Sequence, residues 1–176
     1  NIIFLSSISA VVVGMNVDAN DVELDNLEFN FDEAGDDFVR FIDVDAVNRV
    51  KISNCRFIAQ ETAGSDCAIR IDDADEIVIE GSDFSGNFTS AAIYGDGAAG
   101  SAEVISHNTI YNSNLTGGCI DLNVPFSGVA AYNNLGATSA SAANVFDPGQ
   151  LRCIENYATT AIDASAILVP TATSGA

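Results

Sequence analysis

The sequence predicts an all-β fold, a parallel β-helix of about six rungs, from three observations. One short pattern recurs six times at slowly shrinking spacing, apolar residues alternate inside each copy, and Gly, Asn, Asp and Ser crowd the flanks. The copies are LDNLEF at 24–29, ISNCRF at 52–57, IEGSDF at 79–84, ISHNTI at 105–110, AAYNNL at 130–135 and CIENYA at 153–158, so successive starts lie 28, 27, 26, 25 and 23 residues apart. Alternation such as Val50, Ile52 and Ile77, Ile79 is strand periodicity and excludes a helical repeat. A unit of 23–28 residues with two or three short strands is one rung of a solenoid, and rungs stack roughly 4.8 Å apart.

Taken in order, the chain opens on NIIFL, which lacks the charged start of a signal peptide and looks like the inside of a strand. Further residues are therefore expected upstream of Asn1. The apolar run at 10–13 is too short to span a bilayer. After the first copy, FNFDEAGDD at 29–37 gathers Asp32, Glu33, Asp36 and Asp37 without the D-x-D-x-D-G order of a calcium loop, and reads as a solvated turn.

Within each copy, the fourth residue reads Leu27, Cys55, Ser82, Asn108, Asn133, Asn156. Asparagine tolerates left-handed backbone and can bond to copies above and below, so this position predicts a corner with an asparagine ladder. The sixth residue reads Phe29, Phe57, Phe84, Ile110, Leu135, Ala158, an inward column headed by stacked phenylalanines. A second strand per rung is expected in FVRFIDVD at 38–45, AIRIDDAD at 68–75, AAIYGD at 91–96, CIDLN at 119–123 and AIDA at 161–164. The body is expected to span 1–165, and the tail at 166–176 to cover the last rung or reach a neighbouring chain, because an open rung exposes strand edges.

Composition bounds the function. The 176 residues, 48% hydrophobic, suffice for one domain with a substantial core. With 25 acidic and 6 basic residues the formal charge is −19, which disfavours nucleic acid and anionic membranes as partners and fits a solubilising coat. Cys55, Cys67, Cys119 and Cys153 show no metal-ligand spacing and read as small buried hydrophobes; the sequence alone leaves a disulfide open.

VKISNCRF at 50–57 and VISHNTI at 104–110 resemble the rungs of right-handed parallel β-helix proteins of the pectin-lyase-like superfamily. The resemblance runs over nearly the whole chain and concerns architecture. That superfamily includes polysaccharide lyases, polygalacturonases, phage tailspikes and non-enzymatic virion proteins. Polygalacturonases set aspartates on both sides of the glycosidic bond around N-x-D, D-D, G-H-G and R-x-K segments. Here Asp72–Asp73 and Arg49-Val50-Lys51 supply two of these in reversed order, and the only histidine, His107, lies in S-H-N. His107 has no nucleophile or carboxylate at a readable spacing and reads as a turn residue. Pectate lyases combine calcium-binding carboxylates with an arginine base. Aligning FVRFIDVD with AIRIDDAD sets Arg40 beside Arg70, Asp43 beside Asp73 and Asp45 beside Asp75, which reads as a charged ladder on one face rather than an ion site.

No catalytic, cofactor-binding or metal-ligating residue is assigned, and no cofactor is expected. The resemblance implies a structural protein of a tailed-phage virion, a homotrimeric head-decorating protein packed on the major capsid protein or other virion proteins. A tail module that binds or cleaves host glycan, or a bacterial surface adhesin, are the alternatives.

Overall fold

The computed structural model describes residues 3–4, 12–30, 38–59, 64–98, 100–122, 125–138, 145–160 and 167–169. They form three sheets that the chain visits in strict rotation. Sheet A holds β1 (Ile3–Phe4), β4 (Glu28–Asn30), β7 (Arg56–Ile58), β10 (Asp83–Gly86), β13 (Thr109–Asn112), β16 (Asn134–Ala137), β19 (Asn156–Thr160) and β20 (Ile167–Val169). Sheet B holds β2 (Val12–Val17), β5 (Phe38–Asp45), β8 (Cys67–Asp72), β11 (Ala91–Asp96), β14 (Gly118–Leu122) and β17 (Phe146–Asp147). Sheet C holds β3 (Val22–Asp25), β6 (Val50–Ser53), β9 (Val78–Glu80), β12 (Glu103–Ser106), β15 (Ser127–Ala131) and β18 (Gln150–Ile154). Each strand pairs in parallel with its equivalents in the adjoining rungs, so a full turn of the solenoid contains three strands, within the two or three expected per unit.

One exception lies at the C-terminal end. There β20 runs antiparallel to β19, with Leu168 opposite Tyr157. Within the tail, Ile167–Val169 is thus an edge strand of sheet A. The strand expected at 161–164 and the acidic loop residues Asp32, Glu33, Asp36 and Asp37 lie outside the described residues.

The interior follows the repeat. Phe29, Phe57 and Phe84 are fully buried and stack face to face, with ring centroids 5.1 Å and 4.7 Å apart. Ile110, Leu135 and Ala158 continue the column in register. Alternation points these side chains inward while Arg56, Asp83, Thr109 and Asn134 face out.

Next to this column runs the ladder. Asn133 Nδ2 donates to the Ile105 carbonyl at 2.9 Å and to Asn156 Oδ1 at 2.8 Å; Asn108 Nδ2 bonds likewise to Ile79 and Asn133. The Oδ1 atoms of Asn108, Asn133 and Asn156 accept the backbone N–H groups of Ser82, Asn108 and Asn133, at 3.0–3.1 Å. In the earlier rungs Ser82 Oγ substitutes, accepting the Cys55 N–H at 3.1 Å. Buried backbone groups at the bend are thereby satisfied in place of a strand partner.

The left-handed residue of this corner is not the ladder residue, as the sequence reading had it, but the one before. Asn26, Asn54, Gly81, His107, Tyr132 and Glu155 have φ between 47° and 62°. The physical division is clear: the exposed residue makes the sharp turn, and the buried one spends its amide on hydrogen bonds. A Cβ is tolerated there at a modest cost, which explains why five of these six positions are not glycine.

Candidate functional site

The charged face anticipated from Arg40 and Arg70 lies on the outside of sheet B, but its register differs from the sequence alignment. Asp43 pairs with Arg70, Asp45 with Asp72, and Arg40 with Cys67. Arg40 is therefore not beside Arg70, nor Asp43 beside Asp73, nor Asp45 beside Asp75. The reason is burial. The true register stacks Ile42 on Ile69 and Val44 on Ile71, all fully buried, whereas the expected one is offset by three residues and sets Ile42 opposite Asp72. An odd offset exchanges the inner and outer faces of a strand. Asp73 falls in the following turn with φ 49°, and Asp75 bridges to Asn48 in another corner.

What the register does assemble is a network spanning three rungs of sheet B. Arg70 sends Nη1 to Asp43 Oδ1 at 3.2 Å and Nη2 to Asp72, with Asp96 Oδ2 3.7 Å away. Arg40 Nη1 donates to the other oxygen of Asp43 at 2.9 Å, and its Nε stands 3.8 Å from Asp66 Oδ2. Burial on its own lowers the Arg70 pKa, yet the carboxylates of Asp43, Asp72 and Asp96 outweigh it and hold the guanidinium above its ordinary value. Asp45, Asp72 and Asp96 stack in one outward column, and Arg70 offsets their mutual repulsion. Gly97 lets the next turn lie against this column, since a Cβ there would come within 1.5 Å of Asp72 Oδ1.

Chemically, this arrangement is closed. Asp43 spends both oxygens on the two arginines and Asp72 one oxygen on Arg70, so their charges are offset inside the network. Among the described residues no group of three or more His, Cys, Asp or Glu side chains is disposed to hold a metal. Beside the network, a hollow of about 180 Å³ is lined by Asn16, Val17, Asp18, Asp43 and Asp45. That is below the roughly 300 Å³ at which small-molecule sites begin.

The other candidates do not converge on this face. Arg49 is paired with Asp21 at 2.6 Å and Lys51 with Glu80 at 3.0 Å, both at sheet C, so the R-x-K segment does not meet Asp72–Asp73. His107 is exposed in its turn and stacks on Tyr132, ring centroids 5.1 Å apart. The four cysteines are buried free thiols. Burial pushes the Cys119 thiol up to about 12 and Cys67 beyond the ordinary thiol range, which makes both inert as nucleophiles.

One residue escaped the sequence reading. Glu103 is 1% exposed, and neither carboxylate oxygen has a hydrogen-bond partner. Burial, reinforced by the Asp75 carboxylate, pushes its pKa up to about 7, and the backbone N–H groups of Glu103 and Ser127, close by but outside hydrogen-bonding geometry, counter this only in part. The signal was available two positions before each copy. That column reads Val22, Val50, Ile77, Glu103, Gly128, Leu151, and a lone acid in it faces the core.

Strands in threes, inward ladders and outward charge pairs define a β-solenoid. A family model described as a right handed beta helix region matches residues 40–157, well over half of the chain. The chain belongs to the right-handed β-helix family. No curated protein is matched by the chain. No helix among the described residues is long and apolar enough to cross a membrane.

Proposed function

We propose that this protein is a non-catalytic structural module of a tailed-phage virion, decorating the head and tying neighbouring capsid subunits together. The observation that carries the reading is the closed network on sheet B. Carboxylates that could serve as an acid and base pair are instead bound by Arg40 and Arg70. A rigid rod with a solid core, an aromatic stack and a buried amide ladder suits load-bearing contact better than turnover.

Quantitative mass spectrometry of purified particles tests the proposal. Copy numbers in the hundreds support head decoration. A few dozen or fewer point to a tail appendage, for which soluble host polysaccharide should raise the melting temperature. Absence from virions, with recovery on cell envelopes, replaces the viral reading with an adhesin.

A further inference from the structure

Sheet C carries an outward column that differs from the charged one on sheet B. Register places Glu23, Lys51, Val78, Val104, Val129 and Arg152 one above another. Their inward neighbours Val50, Ile52, Ile79, Ile105 and Ala130 already fill the core, so the three valines are surplus to it. In a chain of net charge −19, the three middle positions of this column carry no charge, and the carboxylate nearest to them on the same face, Glu80, is paired with Lys51. Arg152 is exposed and has no ion pair among the described residues. Lys51, by contrast, is held by Glu80 at 3.0 Å with Glu23 3.8 Å away.

We propose that the outer face of sheet C is a self-association surface, on which a second copy docks about a two-fold axis with its column running the opposite way. The order of the column is what identifies the occupant. Reversed against itself, it sets Glu23 opposite Arg152 at both ends, Val78 opposite Val104 in the centre, and the stem of Lys51 over Val129. The same patch therefore satisfies both copies, as an isologous contact requires. A shallow depression of about 480 Å³, lined by Arg49, Lys51, Glu76, Val78 and Ala102, lies beside the stripe and gives room for the partner's Val129. A three-fold arrangement with parallel axes, which the resemblance implied, would instead bring Arg152 to Arg152 and Lys51 to Lys51 on this face.

Size sets the strength. Six strands roughly 4.8 Å apart and four residues of about 3.3 Å each give a footprint near ~350 Å² per copy, about half that of a standard stable interface. The dimer is consequently concentration-dependent and independent of whether the protein resides on a virion.

Sedimentation velocity over a broad concentration range tests it. Wild-type protein should pass from monomer to dimer. Val104→Lys should remain monomeric at every concentration with an unchanged circular-dichroism melting curve. Glu23→Arg and Arg152→Glu should each weaken the dimer about tenfold, and the double variant should recover most of the loss. A monomer throughout, a trimer, a dimer indifferent to Val104→Lys, or a double variant no better than the singles would each overturn the proposal.

Discussion

Asn133 donates its side-chain amide to Asn156 Oδ1 at 2.8 Å while its own Oδ1 accepts from Asn108, so the middle member of the ladder is both donor and acceptor to the asparagines on either side. Because all three are buried, no water stands ready to replace a missing partner.

Asn133→Ala should therefore cost about 3 kcal/mol, since it strands the Asn108 N–H and the Ile105 carbonyl as well as losing its own bonds. Asn133→Ser should recover part of this, as Ser82 fills the same position in an earlier rung. Chemical denaturation midpoints measure both.

Phe57 lies between two rings, 5.1 Å from Phe29 and 4.7 Å from Phe84. Truncation to Ala should destabilise by about 4 kcal/mol, from lost burial and from the cavity left between rings that cannot close up. Phe57→Leu should cost less than half as much. A Phe57→Ala variant destabilised by less than about 1 kcal/mol would contradict the stacked core.

Arg70 offsets three carboxylates with a side chain only 15% exposed. Replacing it with Met should destabilise by about 2 kcal/mol, less in high salt, because Asp43, Asp72 and Asp96 then face one another. Arg70→Lys should restore little, since a single ammonium cannot reproduce the fork. Thermal melts at low and high ionic strength separate these outcomes.

Glu103 makes stability fall as pH rises. Its carboxyl moves from an ordinary 4.5 to about 7 on folding, so the folded state holds the proton more tightly. The full contribution is present below about 4.5, is lost progressively up to about 7 and is constant above. Glu103→Gln should raise the melting temperature at pH 8 relative to wild type and flatten the profile between pH 5 and about 7.5. Equal slopes for the two proteins would show that Glu103 is not the titrating group.

How far the sequence carried depended on whether a residue's role was set by its own rung or by the next. The inward Phe column and the Asn ladder were legible because each recurs at a fixed place in the copy. The charged face was not, because aligning arginine with arginine gave similar letters more weight than the apolar phase around them. Ile42 and Ile69 determine that register. The strands Val12–Val17 and Phe146–Asp147 were missed as members of sheet B. Neither resembles the copies on its own, and each becomes a strand through Met15 meeting Ile42, and Phe146 meeting Ile120. Glu103 is the opposite case, a residue whose inward phase shows once its column is set beside Val50 and Ile77, because it lies outside the repeated copy itself.

The inner column that begins with three rings and ends on Ala158 has a mechanical consequence. The column loses bulk in two steps, from the three rings to Ile110 and Leu135 and then to Ala158, so tension drawn from the C-terminal end should meet its weakest resistance first and unravel the coils in turn. Pulled from the other end, the same molecule yields only when the ring stack gives way, which makes it a fibre with a preferred direction of strength.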